Sequence, residues 1–228
     1  MALILIVLVG MLCLATLPQM WVRRVIAQHS AERADYPGTG GEFARHLLDE
    51  MKLRDVKVEE TPLGDHYDPE AKAVRLMPER FNGRSLAAVV IAAHEVGHAM
   101  QDATGYGPLA ARSRLAKQAI QFERVGAIVM LAAPIVMIVL KSPHVILIEV
   151  FAGMLIMAMT ILIHAVTLPT EYDASFRRAL PILKAGNYIK AADMASAREL
   201  LRAAAFTYVA AAAMSLLDVA RWLRVLRI

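Results

Sequence analysis

Apolar residues along this chain gather into blocks set apart by one long polar stretch, and the blocks predict helices. Residues 2 to about 22 form the first, closed by Trp21, Arg23 and Arg24. Two more, about 120 to 140 and 145 to 168, are joined by Lys141-Ser-Pro-His144, a link with room for a tight turn and nothing else. Each of the three is long enough to cross a bilayer as a helix. Pro134 predicts a kink in the second, and Glu149 falls near the turn, where it reaches water. A signal peptide is the rival reading of the first block, but no Lys or Arg precedes it. A last stretch, Ala203 to Leu217, runs into the basic Arg221-Trp-Leu-Arg-Val-Leu-Arg227. It is short for a span and partly amphipathic, which predicts a helix packed on the bundle or lying in the interface.

Between the first two blocks the pattern is that of ordinary polar protein. Phe43, Leu47 and Leu48 share one face of a helix predicted over Gly41 to Met51. Two short alternating runs, Val56-Lys-Val-Glu-Glu60 and Lys72-Ala-Val-Arg-Leu76, flank the turn-rich Pro62-Leu-Gly-Asp-His-Tyr-Asp-Pro69 and predict a hairpin or small sheet. Such a hairpin could offer a free edge to an extended peptide or simply cover its neighbour. Next comes a helix through Ser85-Leu-Ala-Ala-Val-Val-Ile-Ala-Ala93 to Met100, with Ser85 or Asn82 as N-cap and Gly105 as stop. The expected fold is therefore mainly α: an integral membrane helical bundle carrying a small β-hairpin. Its expected parts are an N-terminal transmembrane helix (1–24), a polar segment (25–118), a transmembrane helical hairpin (119–168) and a C-terminal segment (169–228).

Composition agrees with the membrane reading, since a hydrophobic fraction of 57% and a mean hydropathy of +0.47 exceed what a soluble domain needs. The single cysteine, Cys13, rules out an intrachain disulfide. A net charge of +4 could suggest nucleic acid, but the basic residues lie beside apolar blocks without aromatic interleaving, so an anionic leaflet explains them better. With three spans, every lysine and arginine except Lys141 falls on one side. The charge rule then places the polar segment in the cytoplasm.

Within that segment stands His94-Glu-Val-Gly-His98. Two histidines four apart lie one turn apart on the same helix face, so both imidazoles can reach one Zn²⁺ while Glu95 leans toward a bound water as general base. Gly97, unusual inside a helix, allows the metal site or another backbone to come close. A catalytic Zn²⁺ needs a third protein ligand. Glu171 is a candidate, standing where the third block ends on the side of the motif, with Pro169 able to open a new helix before it. His164 is the rival, inside the apolar block. Manganese, iron or cobalt would suit the same donors, but an open His₂Glu set favours zinc.

Three stretches, His94-Glu-Val-Gly-His-Ala-Met-Gln101, Asp65-His-Tyr-Asp-Pro69 and Leu168-Pro-Thr-Glu-Tyr-Asp-Ala-Ser175, together resemble the YugP-like neutral zinc metallopeptidases, and the likeness covers nearly the whole chain. That family is similar in turn to the CAAX prenyl proteases and the heat-shock protease HtpX, in which a membrane hairpin separates HExxH from a glutamate ligand. The resemblance implies a zincin-like motif helix and a gluzincin-type site holding one Zn²⁺: His94, His98 and Glu171 as ligands, Glu95 as catalytic base. Many gluzincins carry an aspartate four positions beyond the ligand glutamate. Here that position is Ser175, and the nearest acid is Asp173.

The implied activity is peptide-bond hydrolysis by a membrane-embedded metalloendopeptidase. Its expected partners are a peptide or membrane-protein substrate and the lipid bilayer, and its expected location is a bacterial plasma membrane with the site facing the cytoplasm. His66, Tyr67, Tyr106 and Arg177 are candidates, by side-chain type, for a second donor to the developing oxyanion. The alternative from another class is a catalytically silent, zinc-stabilised membrane scaffold or chaperone.

Overall fold

The computed structural model describes residues 2–140, 151, 162–163 and 166–206. Its centre is the motif helix, α4, Leu86–Ala103, reached through α1 (Ala2–Gln28), α2 (Gly40–Glu50), a three-stranded sheet and the single turn α3 (Pro78–Phe81). α5 (Gly107–Leu140) follows. The description resumes in a helix over 166–172 that widens into a π-helical stretch, Asp173–Ala179, and returns to α geometry over Leu180–Ala185. We call this continuous rod the glutamate helix. A last described helix covers 194–206.

Alanines and branched aliphatics fill the first half of α4, so this helix is apolar all round and is buried almost throughout, from Leu86 to Ala99. Ser85 caps it by accepting from the Ala88 N–H, and Thr104 ends it one residue before Gly105, whose φ of +65° only glycine adopts without cost. Against α4 packs α2, started by a reciprocal capping box between Thr39 and Glu42. Its Leu47 and Leu48 are fully buried, each worth about 1.5–3 kcal/mol of apolar burial. The glutamate helix packs on α4 as well.

The sheet differs from the expected hairpin. β1 (Lys57–Glu60) and β3 (Ala73–Leu76) run parallel, Lys57 opposite Ala73, and the hairpin lies instead between β3 and a third strand, β2 (His66–Asp68), pairing antiparallel with Tyr67 opposite Val74. Strand order is β1-β3-β2, which leaves β2 on an edge. The chain between β1 and β3 is long enough to return in the same direction, as parallel pairing requires. The turn falls after Asp68, where the carboxylate accepts from the Glu70 and Ala71 N–H groups.

The expected integral membrane bundle is overturned: among the described residues, no helix is long and apolar enough to cross a membrane. The last turns of α1 are used otherwise, with Val22 and Val25 buried in the core and Trp21 edge-on to Phe206 at 6.2 Å. α5 carries Arg112, Arg114 and Lys117 ahead of the expected span and Arg124 inside it. The turn at 141–144, Glu149, His164 and the basic stretch 221–227 lie outside the described residues.

Candidate metal centre

One face of α4 presents His94 and His98, their rings 4.7 Å apart and nearly perpendicular. Glu171, from the glutamate helix, meets both. Its Oε2 lies 3.2 Å from His94 Nε2 and 3.3 Å from His98 Nε2, and all three side chains are buried. Gly97 makes this approach possible, because a Cβ there would lie 2.8 Å from the Ala174 carbonyl oxygen. The π-helical winding adds to it. Turning less per residue than an α-helix, it buries Asp173, Ala174 and Ser175 in succession.

Hydrogen bonds settle how the imidazoles are protonated. Ser175 spends its one proton on the Leu201 carbonyl, 3.1 Å away, so the 3.0 Å contact with His94 Nδ1 must be a bond donated by the imidazole. Gln101 Nε2 donates to the Thr170 carbonyl and to Asp173, which orients the amide so that its Oε1 accepts from His98 Nδ1 at 2.9 Å. In the neutral form of each ring, Nε2 then carries no proton and faces Glu171 Oε2. Three buried lone-pair donors then face one another without a proton between them, which costs free energy unless charge of the opposite sign joins them.

Two remedies exist. One is extra protons on the imidazoles: burial pushes the Glu171 carboxyl up, but His98 and His94 outweigh it and hold it well below the usual carboxylate range. The other is a cation. Zinc bonds of about 2.0–2.1 Å in a tetrahedral set leave ligand atoms roughly 3.3 Å apart, which the 3.2 and 3.3 Å separations match. Among the described residues, His94, His98 and Glu171 form the one group of three such side chains able to hold a metal ion, with donor atoms within 4.8 Å of one another.

The family model described as "Putative neutral zinc metallopeptidase" matches residues 3–227. The chain belongs to that family. Among curated relatives, the "Putative membrane protease YugP" of Bacillus subtilis (strain 168) is 34% identical over 209 residues, covering 91% of this chain and 89% of its own length. No solved structure matches.

Beside the triad Glu95 is buried, and burial pushes its carboxyl up to about 7, opposed by His94 and reinforced by Asp65 and Glu171. Nothing along the chain marks Arg112 beyond its basic charge, yet its Nη1 lies 2.9 Å from Glu171 Oε1. Gln101 was visible only as part of the motif stretch. Asp173, two residues along from Glu171, reaches the site through Gln101 and is held by Arg178 at 2.8 Å. Ser175 fills the position where many gluzincins have aspartate, and it takes the imidazole proton that such an aspartate would take.

The suggested oxyanion donors are not gathered here. Tyr67 gives its hydroxyl to Asp102 at 2.5 Å. Because Tyr67 points at α4, strand alternation turns His66 to the opposite face, where its Nδ1 bonds the Gly64 carbonyl. Tyr106 lies under the Arg178 guanidinium, 5.7 Å from it, and Arg177 is exposed.

Proposed function

We propose that the chain is a zinc endopeptidase of the gluzincin type in which His94, His98 and Glu171 hold one Zn²⁺ and Glu95 is the proton acceptor. The observation that carries the reading is the convergence of the three buried donor side chains His94, His98 and Glu171 beside the buried carboxyl of Glu95. Zinc bound there would activate water and polarise the scissile carbonyl. The protein's own contribution is positional. Ser175 and Gln101 keep both Nε2 atoms turned inward, and Glu95 takes a proton from the attacking water and returns it to the leaving amine.

A peptide or unfolded protein segment fits as substrate, because β2 lies at a sheet edge on the α4 side and an extended strand can pair with it. The Bacillus relative is named a membrane protease. Exposed Leu17 and Met20 on α1 and Ile120, Val125 and Ile128 on α5 support action at a membrane surface.

The test is metal analysis of purified protein together with cleavage of a peptide library. Wild type should carry about one zinc per chain and cleave. Glu95→Gln should keep its zinc and lose at least about 100-fold in rate. Cleavage undiminished in Glu95→Gln would refute the assignment, and bound zinc without any cleavage by wild type would favour the scaffold instead.

A further inference from the structure

The two oxygens of Glu171 have separate partners. Oε2 faces the histidines, while Oε1 meets the Arg112 guanidinium at 2.9 Å, a contact that joins α5 to the glutamate helix across 59 positions of sequence. Glu171 is completely buried and the Arg112 side chain is 20% exposed, so this ion pair is shielded from water and geometrically constrained. A carboxylate with both oxygens available can chelate a dication through the pair of them, whereas one whose second oxygen is held by a charged donor offers a single atom. Arginine suits this task because it stays charged at every relevant pH, beside imidazoles and a cation alike.

We propose that Arg112 is a positioning residue that keeps Glu171 a one-oxygen ligand, so that the His94, His98 and Glu171 set supplies three donor atoms and leaves a coordination position for water. The inference rests on the metal site described under the proposed function. It gives Arg112 a role on the ligand itself and none on substrate. It also accounts for a cation beside a site built to attract one: its positive charge weakens the hold on a metal somewhat, and what it returns is geometry.

The test uses the full chain loaded with cobalt(II) in place of zinc, in wild type, Arg112→Gln and Arg112→Lys. Four-coordinate cobalt absorbs strongly in the visible, and higher coordination numbers absorb weakly. Wild type should show the strong band, Arg112→Gln a weakened one as Glu171 supplies its second oxygen, and Arg112→Lys an intermediate state. An Arg112→Gln spectrum equal to wild type would overturn the proposal while leaving the metal site standing. X-ray absorption of zinc-loaded wild type serves where the variants do not fold: a chelating carboxylate there would overturn it equally. Wild type that takes up neither metal would sink the site, and this inference with it.

Discussion

Ser175 does with a neutral hydroxyl what a carboxylate does in many related sites, and the difference has a measurable size. A hydroxyl accepts the His94 Nδ1–H less strongly than an anion would, yet it still selects the tautomer that leaves Nε2 bare. Ser175→Ala should therefore lower zinc affinity about 10–100-fold by chelator competition while the secondary structure stays intact by circular dichroism. An unchanged affinity would show that the hydroxyl orients nothing. At this scale His94, Glu95 and His98 were legible in the sequence, because their spacing on a helix is itself geometry. Glu171 was one candidate by its place after the third apolar block, and it was the family resemblance that preferred it to His164. Arg112 was not. Nothing in the spacing from His98 to Arg112 encodes an approach that arises only when α5 and the glutamate helix come together.

Elements meet around α4, and the closest meeting is the tightest constraint. Gly97 faces the Ala174 backbone, so Gly97→Ala adds a methyl 2.8 Å from a carbonyl oxygen that cannot turn aside. Pushing the two helices apart should cost about 1–3 kcal/mol, seen as a lowered melting temperature, and should weaken metal binding in the same variant. A variant with wild-type melting and zinc content would contradict the packing argument. The turn between β2 and β3 makes a different prediction. Backbone N–H bonds from Ala71, then Glu70, with Arg75 nearby, hold the Asp68 carboxyl below its ordinary range. The stability it contributes is thus present above the unfolded value of about 3.9 and lost as pH falls through the lower folded value. Acid unfolding of Asp68→Ala should accordingly be shallower than that of wild type. The helices α2 and α4 were readable from apolar spacing and caps, with Ser85 chosen over Asn82. β2 was missed because three residues with one buried side chain, Tyr67, carry too little alternation to outweigh the turn-forming residues around them.

Across the whole molecule, hydropathy alone misassigned the first block. Its C-terminal turns are apolar because Trp21, Val22, Val25 and Ile26 complete the core beneath α4, and a window average does not separate a core-facing stripe from a lipid-facing one. The candidate ligands, by contrast, are joined only through tertiary structure, since 73 positions separate His98 from Glu171. An ion that binds the folded form and not the unfolded one stabilises by about 2.7 kcal/mol at a hundredfold excess over its dissociation constant. Chelation should therefore lower the melting temperature reversibly. Glu95→Gln should show the same zinc-dependent shift, and His98→Ala should show none. Melting insensitive to chelator in wild type would exclude a folding-linked ion.

Gln101 and Ser175 extend this dependence in time. A chain emerging from the ribosome displays His94 and His98 long before Glu171, and the Leu201 carbonyl that receives the Ser175 proton comes later still. The growing polypeptide thus cannot bring the three candidate donors together until synthesis has passed Glu171, so the site is among the last features of the fold to be completed.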